Sequence, residues 1–107
     1  MADVFKVSAK SITTTNTFTM LVVGSSATAI VRSLTICNTS TVSTASCDVL
    51  TAGASGDVHL FRLTSITAAQ TIDPLANALV IGPSGTLKVK VSPADCIQVV
   101  ASYLESE

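Results

Sequence analysis

The clearest stretch of alternation lies at Thr86–Ser92. Leu87, Val89 and Val91 fall on one side and Lys88 and Lys90 on the other, as expected of a strand with one face on a core and one in water. Segments of similar length recur along the chain, separated by turn chemistry. Residues 3–9, 17–23, 28–38, 44–51, 57–65 and 96–104 each read as strands. Gly24-Ser25-Ser26, Asn38-Thr39-Ser40-Thr41, Gly53-Ala54-Ser55-Gly56, Gly82-Pro83-Ser84-Gly85 and Ser92-Pro93-Ala94-Asp95 supply the turns. In residues 28–38, the longest strand signal, Ile30, Leu34 and Ile36 share one face, and Val31, Ser33, Thr35 and Cys37 the other. Residues 44–51 read as the hairpin partner of that strand. In residues 57–65, Val58, Leu60 and Arg62 alternate with His59, Phe61 and Leu63. Residues 66–79 read either as one-turn helices or as a strand broken by Pro74, which cannot donate into a sheet ladder.

Side-chain chemistry points the same way. Thr, Val and Ile make up about a third of the chain, and β-branched side chains favour the pleated sheet. No window carries a helical i, i+3, i+4, i+7 stripe. The expected fold class is all-β: a compact antiparallel β-sandwich, jelly-roll-like or immunoglobulin-like, with about eight strands and at most one or two short helical turns. Its 107 residues fit one domain. We expect residues 1–16 to form an N-terminal arm or edge strand and residues 17–107 the single sandwich domain.

Charge narrows the function classes. Six basic and seven acidic residues give a net charge of −1, and charged residues are 12% of the chain. Neither nucleic acid nor an acidic membrane has an electrostatic handle here. The aliphatic runs are too short to span a bilayer, which takes roughly 20 residues. The N-terminus lacks a basic start followed by an apolar stretch, so synthesis in a reducing cytoplasm is the expectation.

The residues that could carry chemistry read as structural. His59 is the only histidine; no serine sits in a G-x-S-x-G elbow, and one imidazole does not make a metal shell. Asp48, Asp57, Asp73 and Asp95 sit beside turns or within strands, and turn initiation by the aspartate side chain is the reading preferred for them. Cys37, Cys47 and Cys96 are odd in number and show neither a C-x-x-C nor a zinc spacing. They read as small buried hydrophobes; if any pair is bonded, it is Cys37 with Cys47 across a hairpin. Asn38-Thr39-Ser40 matches the glycosylation sequon, which without a secretion signal carries little weight. Gly53, Gly56, Gly82 and Gly85 form no phosphate loop. Phe5, Phe18, Phe61 and Tyr103 are the only aromatics, few enough for a small core to absorb. We therefore assign no catalytic, cofactor-binding or metal-binding residue, no cofactor and no enzymatic activity.

A soluble domain of this size carries about 25% charged residues, twice the share found here. A sandwich so poor in charge tends to associate, so an obligate oligomer or lattice component is the economical expectation.

The run Thr28-Ala29-Ile30-Val31-Arg32-Ser33-Leu34-Thr35-Ile36-Cys37-Asn38-Thr39, with the closing Val99-Val100-Ala101-Ser102-Tyr103-Leu104-Glu105, resembles a group of short β-sandwich proteins encoded among the structural genes of tailed bacteriophages. The resemblance spans residues 17–105. Members of that group usually carry a Pro-Ala-Gly turn before the long strand, whereas this chain has Gly24-Ser25-Ser26-Ala27. The resemblance implies a virion component without catalytic activity, synthesised in the host cytoplasm. A capsid decoration or cement protein on the capsid surface, commonly a trimer bridging major capsid protein subunits, is the expected placement. A neck, tail or fibre-associated sandwich is the alternative. A small sugar- or peptide-binding module is the other class; clustering of Tyr103, Phe61 and His59 in a concave pocket would favour it, and a flat apolar patch the structural one.

Overall fold

The computed structural model describes residues 3–53, 56–75 and 77–106. Its strands are β1 (Asp3–Ile12), β2 (Phe18–Val22), β3 (Thr28–Asn38), β4 (Ala45–Gly53), β5 (Gly56–Ile66), β6 (Thr71–Ile72), β7 (Leu79–Ile81), β8 (Thr86–Ser92) and β9 (Ile97–Ser106). Strands β1-β9-β3-β6 form the first sheet, with β7 also on β3, and β2-β8-β4-β5 form the second. Every pairing is antiparallel.

The chain is an all-β sandwich of jelly-roll topology. The short strands β6 and β7 lie along the same edge of β3, β7 at Ala29–Val31 and β6 at Ile36–Cys37, so together they make one interrupted strand and the expected count of about eight is recovered. The interruption carries Pro74, which has no N–H to donate; the Leu75 amide turns onto Asp73 Oδ1 at 3.1 Å instead. Among the described residues there is no helix, so the one-turn helices open at residues 66–79 are not seen there. At its start, Thr67 to Gln70 form a tight turn closed by Gln70 N–H to Thr67 O at 3.2 Å.

The hairpin expected between residues 28–38 and 44–51 does not form. β3 belongs to the first sheet and β4 to the second, because the intervening turn carries the chain across the sandwich. Asn38 organises that crossing and is fully buried. Its amide nitrogen donates to Ser43 O at 2.9 Å and Ile66 O at 3.0 Å, and its Oδ1 accepts from Ser40 N–H at 3.0 Å. β4 instead makes its hairpin with β5; the expected Ala54-Ser55 tip lies outside the described residues.

The core lies between the sheets. Ile12, Val31, Leu34, Ile36, Ile97 and Val99 face Val49, Leu87, Val89 and Val91, all essentially inaccessible to solvent. Burial of each such side chain contributes about 1.5–3 kcal/mol. The expected alternation of β8 is found, with Leu87, Val89 and Val91 inward.

Two β-bulges correct the expected faces elsewhere. In β3 the pairing steps from Val31↔Tyr103 to Ser33↔Ser102, so Arg32 is an extra residue and the parity reverses. Ala29 and Val31 point inward before it, and Leu34 and Ile36 after it; Ile30 therefore stands on the outer face, not with Leu34 and Ile36. In β5 the pairing steps from Leu50↔His59 to Val49↔Phe61, leaving Leu60 extra. His59 thus points away from the face it was expected to share with Phe61 and Leu63.

Candidate functional site

The two outer faces of the sandwich differ in chemistry. On the first sheet, Phe5 pairs with Leu104, Leu104 with Ile30, and Ile30 with Val80. Directly opposed residues project to the same side, and this side is the outer one because Ala29 and Ala101, of the opposite parity, are buried. An apolar row therefore crosses β1, β9, β3 and β7 on the solvent side. Its ends, Phe5 at 79% and Val80 at 63%, are exposed, as is Val7 at 67% beside Phe5. Along the rest of the face the paired positions are occupied by residues such as Ser102, Ser33 and Thr35. Asp3 at one corner is the only charged side chain among those paired positions, Arg32 being the unpaired bulge residue.

Behind the Phe5 end of this row, on the inner side, the strands are tied by charge. Lys6 and Glu105 form an ion pair between β1 and β9, and Glu105 Oε2 also accepts from Gly24 N–H at 3.1 Å. These contacts, the Lys6 hydrogen bond foremost and then the Gly24 amide, hold the Glu105 carboxyl below the ordinary carboxylate value.

The outer face of the second sheet carries charge. Asp48 pairs with Lys90 on β8 and Arg62 on β5. Its carboxylate lies 3.8 Å from His59 Nε2 and 3.8 Å from Arg62 Nε, beyond hydrogen-bonding range. An open cleft of about 430 Å³ adjoins it, lined by Thr15, Asn16, Thr17, Ser46, Asp48 and Lys90 among others. The Arg62–Asp48 contact is a solvated ion pair on a sheet surface, of little energetic consequence. Among the described residues no group of three or more His, Cys, Asp or Glu side chains is gathered as a metal site.

The other residues singled out in the sequence take structural places. Cys37, Cys47 and Cys96 are free thiols. Cys37 is on β3 and Cys47 on β4, in different sheets, so no hairpin brings them face to face. Burial, and then the adjacent Asp48 carboxylate, push the Cys47 thiol up to about 12, which leaves it protonated and unreactive at neutral pH. Asn38, the sequon residue, has its amide buried and hydrogen-bonded, closed to a glycan in this fold. Asp73 caps its turn as expected; the side chain of Asp57 lies outside the described residues. The glycine pair Gly82 and Gly85 closes a turn, Gly85 N–H to Gly82 O at 3.0 Å, leading into β8.

His59, Phe61 and Tyr103 are not brought together. His59 lies on the outer face of the second sheet, Phe61 packs against the core, and Tyr103 does so from the first sheet. The first sheet carries instead a flat apolar row, the feature that favours the structural reading, made by residues that the sequence alone does not bring together.

No protein-family model matches the chain, and no curated protein matches it in sequence. Among solved structures, a chain of the acidic stable capsid structure of Helicobacter pylori bacteriophage KHP30 superposes with a TM-score of 0.65 at 12% identity, covering 100% of this chain and 94% of that one. At that identity the likeness establishes the shared fold. A pentameric capsid protein from metagenomic phage sequences aligns more loosely, at a TM-score of 0.46 and 13% identity over 94% of this chain and 59% of that one. The virus-like particle protein of the giant freshwater prawn Macrobrachium rosenbergii extra small virus aligns at 0.46 and 13% identity, over 99% of this chain and 80% of that one.

Proposed function

We propose that this chain is a non-enzymatic structural protein of a bacteriophage virion, a decoration or cement protein that sits on the head as a homotrimer and bridges major capsid protein subunits. The observation that carries this reading is the end-to-end match to a chain of a phage capsid of nearly the same length. Fold alone does not specify function; the low charge and the apolar outer row add a physical reason for lodging among other subunits. The mechanism is passive. Each copy adds buried area between shell subunits, and several contacts around a symmetric site are lost only together. Opening the lattice then requires more free energy than in the bare shell.

Quantitative mass spectrometry of particles purified from the phage that carries this gene tests the reading. A fixed stoichiometry of many copies per head is expected, together with loss of the packaged genome at lower temperature from particles made without the gene. A handful of copies per particle would move the chain to the neck or tail. Its absence from washed particles would end the virion reading.

A further inference from the structure

We infer that the outer face of the β1-β9-β3-β7 sheet is where copies of this chain meet one another, with the row Phe5, Leu104, Ile30 and Val80 at the contact. The inference rests on the homo-oligomeric part of the reading above, and its test needs no capsid. A second copy is the occupant that fits the chemistry of the face. Near a rotation axis each side chain meets its own duplicates, so a surface suited to itself must neither repel nor strand its own groups. Carboxylates only accept and ammonium groups only donate, whereas Ser and Thr hydroxyls do both. The paired positions of this face are apolar or uncharged polar apart from Asp3 at a corner, and the exposed Arg32 at the β3 bulge gives the face one group of each sign, so its own duplicate meets it without an excess of like charge.

The other outer face fails the same test. Asp48 is paired with Lys90 and Arg62 there, and His59 and Lys88 occupy the next row, so among the described side chains basic groups outnumber carboxylates and two copies would bring basic groups together. Area also suffices. Strands about 4.8 Å apart and five outward rows about 6.8 Å apart give the first face about 500 Å² per copy, hence about 1,000 Å² in a pair, near the lower bound of specific interfaces. Phe5 is an exposed aromatic in an apolar row, a residue type enriched at interfaces.

The experiment is sedimentation equilibrium on the purified full chain at micromolar concentration, with Phe5→Asp, Val80→Asp and Lys90→Glu. The wild-type chain is expected to be oligomeric. Phe5→Asp and Val80→Asp are expected to weaken association by about 100-fold, the size of a hot-spot loss, while circular dichroism and melting stay unchanged because both side chains are exposed. Lys90→Glu is expected to leave the mass unaltered. Should Phe5→Asp perturb the fold, Val80→Asp at the other end of the row decides alone. A wild-type monomer, or an oligomer dissociated by Lys90→Glu but by neither row variant, would overturn the inference while leaving virion occupancy standing. An oligomer of two copies supports the shared face and removes the trimer from the function proposed above; one of three supports both.

Discussion

The side-chain amide of Asn38, at the end of β3, donates to the main-chain carbonyl of Ile66, at the end of β5, at 3.0 Å inside the sandwich. The same nitrogen reaches Ser43 O at 2.9 Å, and Oδ1 takes the Ser40 N–H at 3.0 Å. One side chain thus satisfies three main-chain groups on two segments, the turn after β3 and the end of β5, where β3 leaves one sheet for β4 in the other. Leucine has comparable bulk and neither donor nor acceptor. Asn38→Leu is expected to destabilise the fold by about 2–4 kcal/mol, because buried carbonyls and an amide lose their partner. Urea unfolding of the variant measures this; a loss below about 0.5 kcal/mol, the range of surface substitutions, would show that water replaces the amide.

Glu105 gives the fold an acid limit. Its carboxyl is held below the ordinary value of 4.5 by Lys6 and then by the Gly24 amide. A folded-state pKa lower than the unfolded one contributes stability in full above the unfolded value, and that contribution disappears as pH falls through the folded one. Melting temperature followed from neutral pH to below 4.5 is expected to drop less steeply in Glu105→Gln than in the wild-type chain. Parallel curves would contradict the assignment.

Cys47 sets a matching effect at high pH. Its thiol stays protonated in the fold to about 12, against 9.0 when exposed. The raised value means that its contribution is complete below 9.0 and is lost as pH climbs toward 12. At neutral pH, a disulfide reagent is expected to titrate the half-exposed Cys96 in the native protein, and Cys47 only after denaturant is added. Rapid labelling of all three thiols would show that the core opens.

Gly85 has no room for a side chain. A Cβ there would stand 2.5 Å from Ile81 Cγ2 and 3.0 Å from Gly82 O, one a branched core side chain and the other backbone. Gly85→Ala is expected to cost about 1–3 kcal/mol through overpacking. Thermal unfolding checks it, with Gly82→Ala as the control, since a Cβ at Gly82 meets nothing within 4 Å.

Strand identity was legible in the sequence because period-two alternation is a local property. Lys88 and Lys90 beside Leu87, Val89 and Val91 place β8 without outside information. Alternation says which face a residue takes but not which strand lies beside it, so the crossing from β3 to β4 was mistaken for a hairpin. It also assumes an unbroken register. The extra residue Arg32 turned Ile30 outward, and the extra Leu60 separated His59 from Phe61. The apolar row was hidden for the same reason. Phe5, Ile30, Val80 and Leu104 are far apart in the chain, and only the pairing of β1, β9, β3 and β7 makes them neighbours. Asn38 in turn looked like a turn residue or a sequon, because the carbonyl that explains it lies 28 positions away.

Cryo-electron microscopy of the intact particle is the most direct test that this jelly roll belongs to a virion head. The account predicts symmetry-related copies of the sandwich bound across junctions between shell subunits, with the Phe5 row of each copy turned toward its neighbours. A complete, stable shell carrying no density for the sandwich, at any junction or on any axis, would contradict it.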